Sequence, residues 1–389
     1  MPTADVASPF RIDVPDVVLA DLRRRLHRSR LPDQLPGTAW ELGTDRDELA
    51  AFLRWWADEF DWRAIEAELN RFDHYVTDID GQRIHWAERR SPRADATPLV
   101  LLSGWPSTFA EFAGVMDPLA DPDAHGAPGA PAFHVLAPSL PGFGFSTPCG
   151  TGWTPRRIAG ALRDLMARLG HQRYDAHGGD WGAMVCSQLA LLDASHCRAI
   201  HLGMVIAPKP AGFDMATLDD DERADVARMH AVGRDEMGYQ QIQGTRPDAL
   251  SIGLHDSPAG LAAWILEKFR AWSDCGGDVW SRFSREQLAT TLTLYWATGT
   301  IASANRIYKE TRLAGAGASL PDRRVPVPLG YTRFPGDGFR PPRAWVDALY
   351  DVVSWSTVAE GGHFPALEVP SVLVGELRRF FGPDGPVPS

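Results

Sequence analysis

The sequence predicts an α/β fold: a mostly parallel sheet, preceded by a helical arm and interrupted by a helical insert. Three observations carry this. Short continuous apolar runs at Pro98–Ser103 and Phe133–Ala137 alternate with helix-like stretches, the rhythm of buried parallel strands covered on both faces. Residues 206–320 break that rhythm with helical periodicity and no strand signal. Strand patterning then returns at Val325–Phe334 and Val352–Ala359.

The elements follow in order. Residues 1–75 read as an arm. Pro15–Arg30 places Val17, Val18, Leu19, Leu22 and Leu26 at helical spacing, and Asp47–Phe60 does the same with Leu49, Phe52, Leu53, Trp56 and Phe60. Such a segment is too short for a core of its own and must pack on something else. Asp80-Gly81 between His74–Ile79 and Arg83–Glu88 is a hairpin signal. In the first core segment, 76–205, Ile158–Leu169 is helical. Arg173–His177 is a strand leading into Gly178-Gly179-Asp180-Trp181-Gly182. Ala183–Leu192 is a buried helix and Cys197–Val205 a strand. The insert holds helices at Asp219–Ala231, Leu261–Trp272 and Arg285–Tyr308. A second core segment, 321–389, closes with a helix at Val369–Phe381.

Composition narrows the function. A net charge of −11 argues against nucleic acid or an anionic membrane as the main partner. Cys149, Cys186, Cys197 and Cys275 form no CxxC pair, so four buried thiols and a cytoplasmic location are expected. No Cys/His cluster has metal-site spacing, so no metal is expected. Met1–Phe10 lacks the blocks of a signal peptide. No apolar run reaches the roughly 18 residues of a membrane span, so no membrane anchor is expected. Trp outnumbers Tyr 14 to 7, which suits a large apolar cavity and leaves few candidates for a phenolic acid.

The central chemical signal is Gly178-Gly179-Asp180-Trp181-Gly182, set between an apolar strand and an apolar helix. That is the context of a nucleophile elbow, a tight turn whose glycines avoid Cβ clashes. With sheet, helical insert and sheet, it gives the layout of an α/β-hydrolase with a cap. The middle residue is Asp180 where Ser is more usual, and a carboxylate there can attack carbon and form an ester. His363, just after the last strand, falls where the catalytic base is needed. Asp337 fits the acid that orients it. Glu360 competes by its nearness in sequence, and Asp347 and Asp351 are weaker candidates. Two backbone donors would hold the oxyanion, the N–H of Trp181 and that of Trp105 in Ser103-Gly104-Trp105-Pro106. An epoxide oxygen needs an acid such as a Tyr hydroxyl, whereas a halide needs only weak N–H donors. The insert offers Tyr239, Tyr295 and Tyr308.

These motifs resemble those of the microsomal-type epoxide hydrolases, and the likeness covers nearly the whole chain. Ser8-Pro9-Phe10 through Leu31-Pro32-Asp33 is similar to the family's arm. Ser103–Pro106 is similar to its His-Gly-Trp-Pro motif, and His177–Gly182 to its nucleophile motif. Gly238–Asp248, Asp256–Phe269 and Tyr295–Ile301 are similar to its cap. The resemblance implies Asp180 as nucleophile, His363 as base and Asp337 as acid ahead of Glu360. It implies Tyr239 and Tyr308 as ring-opening acids ahead of Tyr295. It further implies a cofactor-free addition of water to a small-molecule epoxide, of apolar or aromatic character, giving a vicinal diol. Such enzymes serve catabolism, detoxification or natural-product pathways. Ser103 stands where the family has His, so the support which that His gives the oxyanion loop must come from elsewhere. A haloalkane dehalogenase using the same Asp is the alternative, and a ligand receptor on a hydrolase scaffold is a third reading. Two copies could pair as a homodimer, but no residue pattern sets the oligomeric state.

Overall fold

The computed structural model describes residues 7–387. The first six residues of the expected arm, most of the Met1–Phe10 stretch and the last two residues of the second core segment lie outside them.

The chain begins with β1 (Ser8–Phe10), α1 (Asp16–His27), α2 (Arg46–Asp58) and α3 (Trp62–Leu69). It continues through β2 (Asp73–Ile79), β3 (Gln82–Arg89), β4 (Thr97–Leu102), α4 (Ala113–Ala120), β5 (Phe133–Pro138), α5 (Pro155–Arg168), β6 (Tyr174–Gly178), α6 (Asp180–Leu192) and β7 (Cys197–Leu202). Six helices follow: α7 (Asp220–Asp235), α8 (Gly238–Thr245), α9 (Pro247–Asp256), α10 (Pro258–Trp272), α11 (Arg285–Thr298) and α12 (Ile301–Ala314). The chain then returns through β8 (Pro328–Arg333), α13 (Arg343–Asp347), β9 (Asp351–Thr357), α14 (Pro365–Glu368) and α15 (Pro370–Phe381).

Among the described residues the strands form one sheet in the order β1-β2-β3-β5-β4-β6-β7-β8-β9. The β1, β2, β3 and β5 pairings are antiparallel, and every pairing from β5 through β9 is parallel. The parallel strands are apolar on both faces: Leu99, Val100, Leu101 and Leu102 of β4 are fully buried. The order reverses at β4, which has β5 on one side and β6 on the other. Loops leaving the carboxyl ends of strands at such a switch point diverge and open a crevice. The loops after β4 and β6 carry Trp105 and Asp180, and those after β8 and β9 carry Asp337 and His363. The topology thus brings four distant segments to one end of the sheet.

The arm is held to the helical insert by a buried hydrogen bond and a surface ion pair. The indole Nε1–H of Trp56 in α2 donates to Thr293 Oγ1 in α11 at 3.0 Å, and Arg25 in α1 pairs with Asp256 at the end of α9. Two expectations are corrected. The stretch Arg285–Tyr308 is two helices, because Gly299 takes a left-handed φ of 67° and caps α11. Cys149 is only half-buried, whereas Cys186, Cys197 and Cys275 are buried; none of the four is in a disulfide.

Candidate active site

Asp180 starts α6, with Gly179 as its N-cap, and its φ of 48° is left-handed. That conformation is costly for a residue with a side chain and holds only where its surroundings enforce it. Here they do. A Cβ on Gly178 would lie 2.5 Å from the Gly182 carbonyl group, and one on Gly182 would lie 2.5 Å from the Leu102 carbonyl carbon. Only glycines let the turn press so closely on β4. The carboxylate of Asp180 sits at the positive end of the α6 dipole. It also accepts a hydrogen bond at Oδ1 from the backbone N–H of Trp105, at 2.8 Å. Gly104 makes that approach feasible, since a Cβ there would lie 2.5 Å from the Asp180 Cβ. The first helical bond of α6 runs from Ala183 N–H to Gly179 O. The Trp181 N–H is therefore among the first-turn donors that have no intrahelical acceptor.

His363 is buried, with its side chain 6% exposed. Its Nδ1–H donates to Asp337 Oδ2 at 3.1 Å, which fixes the ring orientation and turns Nε2 toward Asp180. Nε2 lies 3.6 Å from Asp180 Oδ2, beyond hydrogen-bond reach. Asp337 is itself held by the Phe339 N–H, 2.7 Å from Oδ1. Burial works against a charged imidazole, but the Asp337 and Asp180 carboxylates outweigh it and raise the His363 pKa to about 10. The rival acids lie elsewhere. Glu360 is 51% exposed and pairs with Arg282. Asp347 and Asp351 pair with Arg343 and Arg324 at the surface.

The cap closes the site with aromatic rings. Tyr239 of α8 stacks on Trp105, with centroids 5.1 Å apart and planes 6° from parallel. Tyr308 of α12 meets Trp181 edge-on at 4.7 Å and Tyr239 at 5.6 Å. Burial first, then neighbouring negative charge, raises both phenol pKa values well above the ordinary range, so both hydroxyls stay protonated. Tyr295 is different. Its hydroxyl donates to the Ser107 carbonyl at 3.1 Å and so ties the Trp105 loop to α11. Trp272, which the sequence places only at the end of a cap helix, packs edge-on against His363 at 5.1 Å, and its carbonyl accepts the His363 N–H at 2.9 Å. Buried Lys268 lies over the Tyr239 ring at 5.2 Å and pairs with Glu267. Lys268 falls within the cap stretch Asp256–Phe269, but nothing in the sequence gives either residue a site role.

Five buried polar atoms here have no hydrogen-bond partner within the protein: Trp105 Nε1, Ser107 Oγ, Trp181 Nε1, Tyr308 Oη and His363 Nε2. Unpaired buried groups are rare, and a cluster of them marks a place where a ligand or water completes the bonding. A cleft of ≈ 450 Å³, lined by Gln240, Gln241, Arg312 and Met184, reaches Trp181 and Tyr308. Hollows of ≈ 270 Å³ beside α1–α3 and ≈ 390 Å³ between the arm and α10 touch none of these residues.

Fold and site together define a capped α/β-hydrolase with a carboxylate at the elbow. Comparison with known proteins narrows this. The family model for the epoxide hydrolase N terminus matches residues 7–112, and that for the α/β-hydrolase fold matches 97–227. Epoxide hydrolase 1 of Sus scrofa is 34% identical, over 96% of this chain and 88% of its own. A Stigmatella aurantiaca protein bearing the epoxide hydrolase name is 40% identical, over 96% and 84%. The structure of Aspergillus niger epoxide hydrolase superposes with a TM-score of 0.84 at 32% identity, covering 95% of this chain and 94% of its own. The chain belongs to the epoxide hydrolase family.

Proposed function

We propose that the protein adds water to an epoxide to give a vicinal diol, through an ester on Asp180. The observation that carries this is the pair of buried, protonated phenols, Tyr239 and Tyr308, that two cap helices bring together beside the Asp180–Trp181 turn. A leaving halide needs no such acid; a leaving alkoxide does.

In this reading Asp180 attacks one epoxide carbon while Tyr239 and Tyr308 protonate the departing oxygen. Esterification removes the negative charge of Asp180, one of the two charges that keep His363 protonated. With that charge gone, the imidazolium gives its Nε2 proton to the phenolate left by ring opening, and Nε2 is then free to act as a base. Oriented by Asp337, it takes a proton from water, and the resulting hydroxide attacks the ester carbonyl. The N–H groups of Trp105 and Trp181 hold the oxyanion. The indole walls of Trp105, Trp181 and Trp272 favour an apolar or aromatic substrate. We assign residues 1–75 to the arm, 76–205 and 321–389 to the catalytic core, and 206–320 to the cap. A cytoplasmic location agrees with four cysteines that form no disulfide. Among the described residues, no helix is long and apolar enough to cross a membrane.

A single turnover on styrene oxide in ¹⁸O-water tests the route. The ester path delivers an unlabelled oxygen from Asp180, so the first diol is unlabelled. Solvent label in that first diol would show direct attack by water and would overturn the ester.

A further inference from the structure

We propose that Glu111 positions the water that hydrolyses the Asp180 ester, and that a small cavity beside Asp180 is that water's site. The inference rests on the ester route above and assigns a residue to its second half.

The cavity holds ≈ 20 Å³ and is lined by Ser107, Glu111, His177, Asp180, His363 and Phe364, among others. A single water needs roughly 10–15 Å³ by this measure, together with two to four polar partners. The cavity offers three. His363 Nε2 and Ser107 Oγ are buried without a partner in the protein, and Glu111 supplies a carboxyl. His177 forms an uncharged wall: burial lowers its pKa to about 4, and its Nδ1 faces His201 at 3.0 Å. Apart from Trp105 and the Asp180 carboxyl itself, the remaining side chains around it are apolar.

The location suits the chemistry. No residue lines both this cavity and the ≈ 450 Å³ cleft that reaches Trp181 and Tyr308. A substrate entering by the cleft leaves the cavity unobstructed, so the water and the alkyl group reach the Asp180 carboxyl separately. Glu111 lies in the short 3-10 helix Phe109–Phe112, on the same loop that delivers the Trp105 N–H. One loop after β4 therefore presents both an oxyanion donor and a carboxyl to the reacting group. Burial raises the Glu111 pKa to about 7, against the pull of the neighbouring Ser107 hydroxyl and His363.

The step balances as follows. One water proton goes to His363 Nε2 while the water oxygen bonds to Asp180 Cγ. The second O–H donates a hydrogen bond to Glu111 and aims the oxygen lone pair at Cγ. On collapse the bond from Cγ to the substrate oxygen breaks, and the departing diol oxygen takes the proton from His363. The remaining proton leaves the regenerated Asp180 carboxyl and returns to His363, restoring the resting imidazolium, whose first proton had already restored the phenol.

The test is stopped-flow and quenched-flow kinetics on styrene oxide. Trp fluorescence reports alkylation and mass spectrometry of the quenched protein reports the ester. Glu111→Leu is expected to alkylate within about twofold of the parent, yet to hydrolyse its ester about 10²-fold more slowly, so the ester accumulates. Glu111→Gln, whose amide oxygen accepts the same hydrogen bond, is expected to stay within about tenfold of the parent. Ser107→Ala removes another partner with little change in volume and is expected to slow hydrolysis alone by about threefold to tenfold. A Glu111→Leu protein that hydrolyses at the parent rate, or loses both steps equally, would overturn the proposal. So would a Ser107→Ala protein with unaltered hydrolysis, should Glu111→Leu not fold. His363→Gln is the control: if no ester builds up there, the ester route itself has failed, which is a different result.

Discussion

Gly104 offers a sharp test of the oxyanion geometry, because its substitution acts on the reacting carboxylate and on little else. A methyl group at position 104 would lie 2.5 Å from Asp180 Cβ and 2.7 Å from Asp180 Cγ, with the carboxylate oxygen Oδ1 closer still. Ordinary contact requires the Asp180 side chain to retreat by about 1 Å, and a displacement of that size costs on the order of 10²-fold in rate. The retreat also breaks the 2.8 Å bond from the Trp105 N–H. Loss of one oxyanion donor typically costs about 10²–10³ in kcat, or about 2.7–4 kcal/mol. Gly104→Ala should therefore lower kcat by about 10²–10³. The fold should lose no more than one charge-assisted hydrogen bond, about 1.5–3 kcal/mol. Gly160→Ala is the matched control, since a Cβ there meets nothing within 4 Å. Steady-state kinetics on styrene oxide with denaturant unfolding of both variants supplies the two quantities. A folded Gly104→Ala protein with kcat within about threefold of the parent would refute the argument, because the bond geometry would then be irrelevant to the rate.

Two further outcomes are expected. Tyr239→Phe and Tyr308→Phe should each slow alkylation, and the double variant should lose the general-acid contribution of about 10²–10⁴, measured by stopped-flow fluorescence; an unimpaired double variant removes the epoxide acid from the reading. The pH dependence of stability should carry the mark of His363. Its folded pKa of about 10 lies above the reference 6.5, so its contribution is fully present below 6.5 and is lost as pH rises through about 10. Between those limits Tm should fall more steeply in the parent than in His363→Gln, and parallel Tm curves would contradict the charge assignment.

The core was legible because strands buried on both faces read as continuous apolar runs, and because glycines at an elbow are a steric necessity that leaves a local motif. Asp180 and His363 could be named from their places after predicted strands, since a parallel sheet brings those loops to one edge whatever the intervening sequence, whereas position left Asp337 in competition with Glu360 until the family resemblance favoured it. The helical insert was less legible. Its helices α8 and α9 were not distinguished, and Arg285–Tyr308 read as one helix because a single glycine is weak evidence of a break. That break decides chemistry: it puts Tyr295 on α11, bonded to the Ser107 carbonyl, and Tyr308 on α12, with a free hydroxyl. Linear spacing could not separate the two phenols, whereas their hydrogen bonds do.

Trp272, Lys268 and Glu111 lie further beyond sequence reading, and for a common reason. Trp272 and Glu111 belong to no motif, Lys268 lies in the cap stretch Asp256–Phe269 without a role there, and each matters through what the fold sets against it. Trp272 gains its place by holding His363 through ring and carbonyl alike. Glu111 follows a tight turn as an ordinary polar residue in an exposed loop would, and only the closure of the loop onto Asp180 encloses it. Residues that touch the scissile bond must have particular chemistry at particular places, and so leave patterns in a sequence. A residue that places a water need only offer an acceptor at the right point in space, which many sequence positions could supply. The hydrolytic half of the reaction is therefore where structure adds most, and the separation of alkylation from hydrolysis in Glu111 variants measures that half directly.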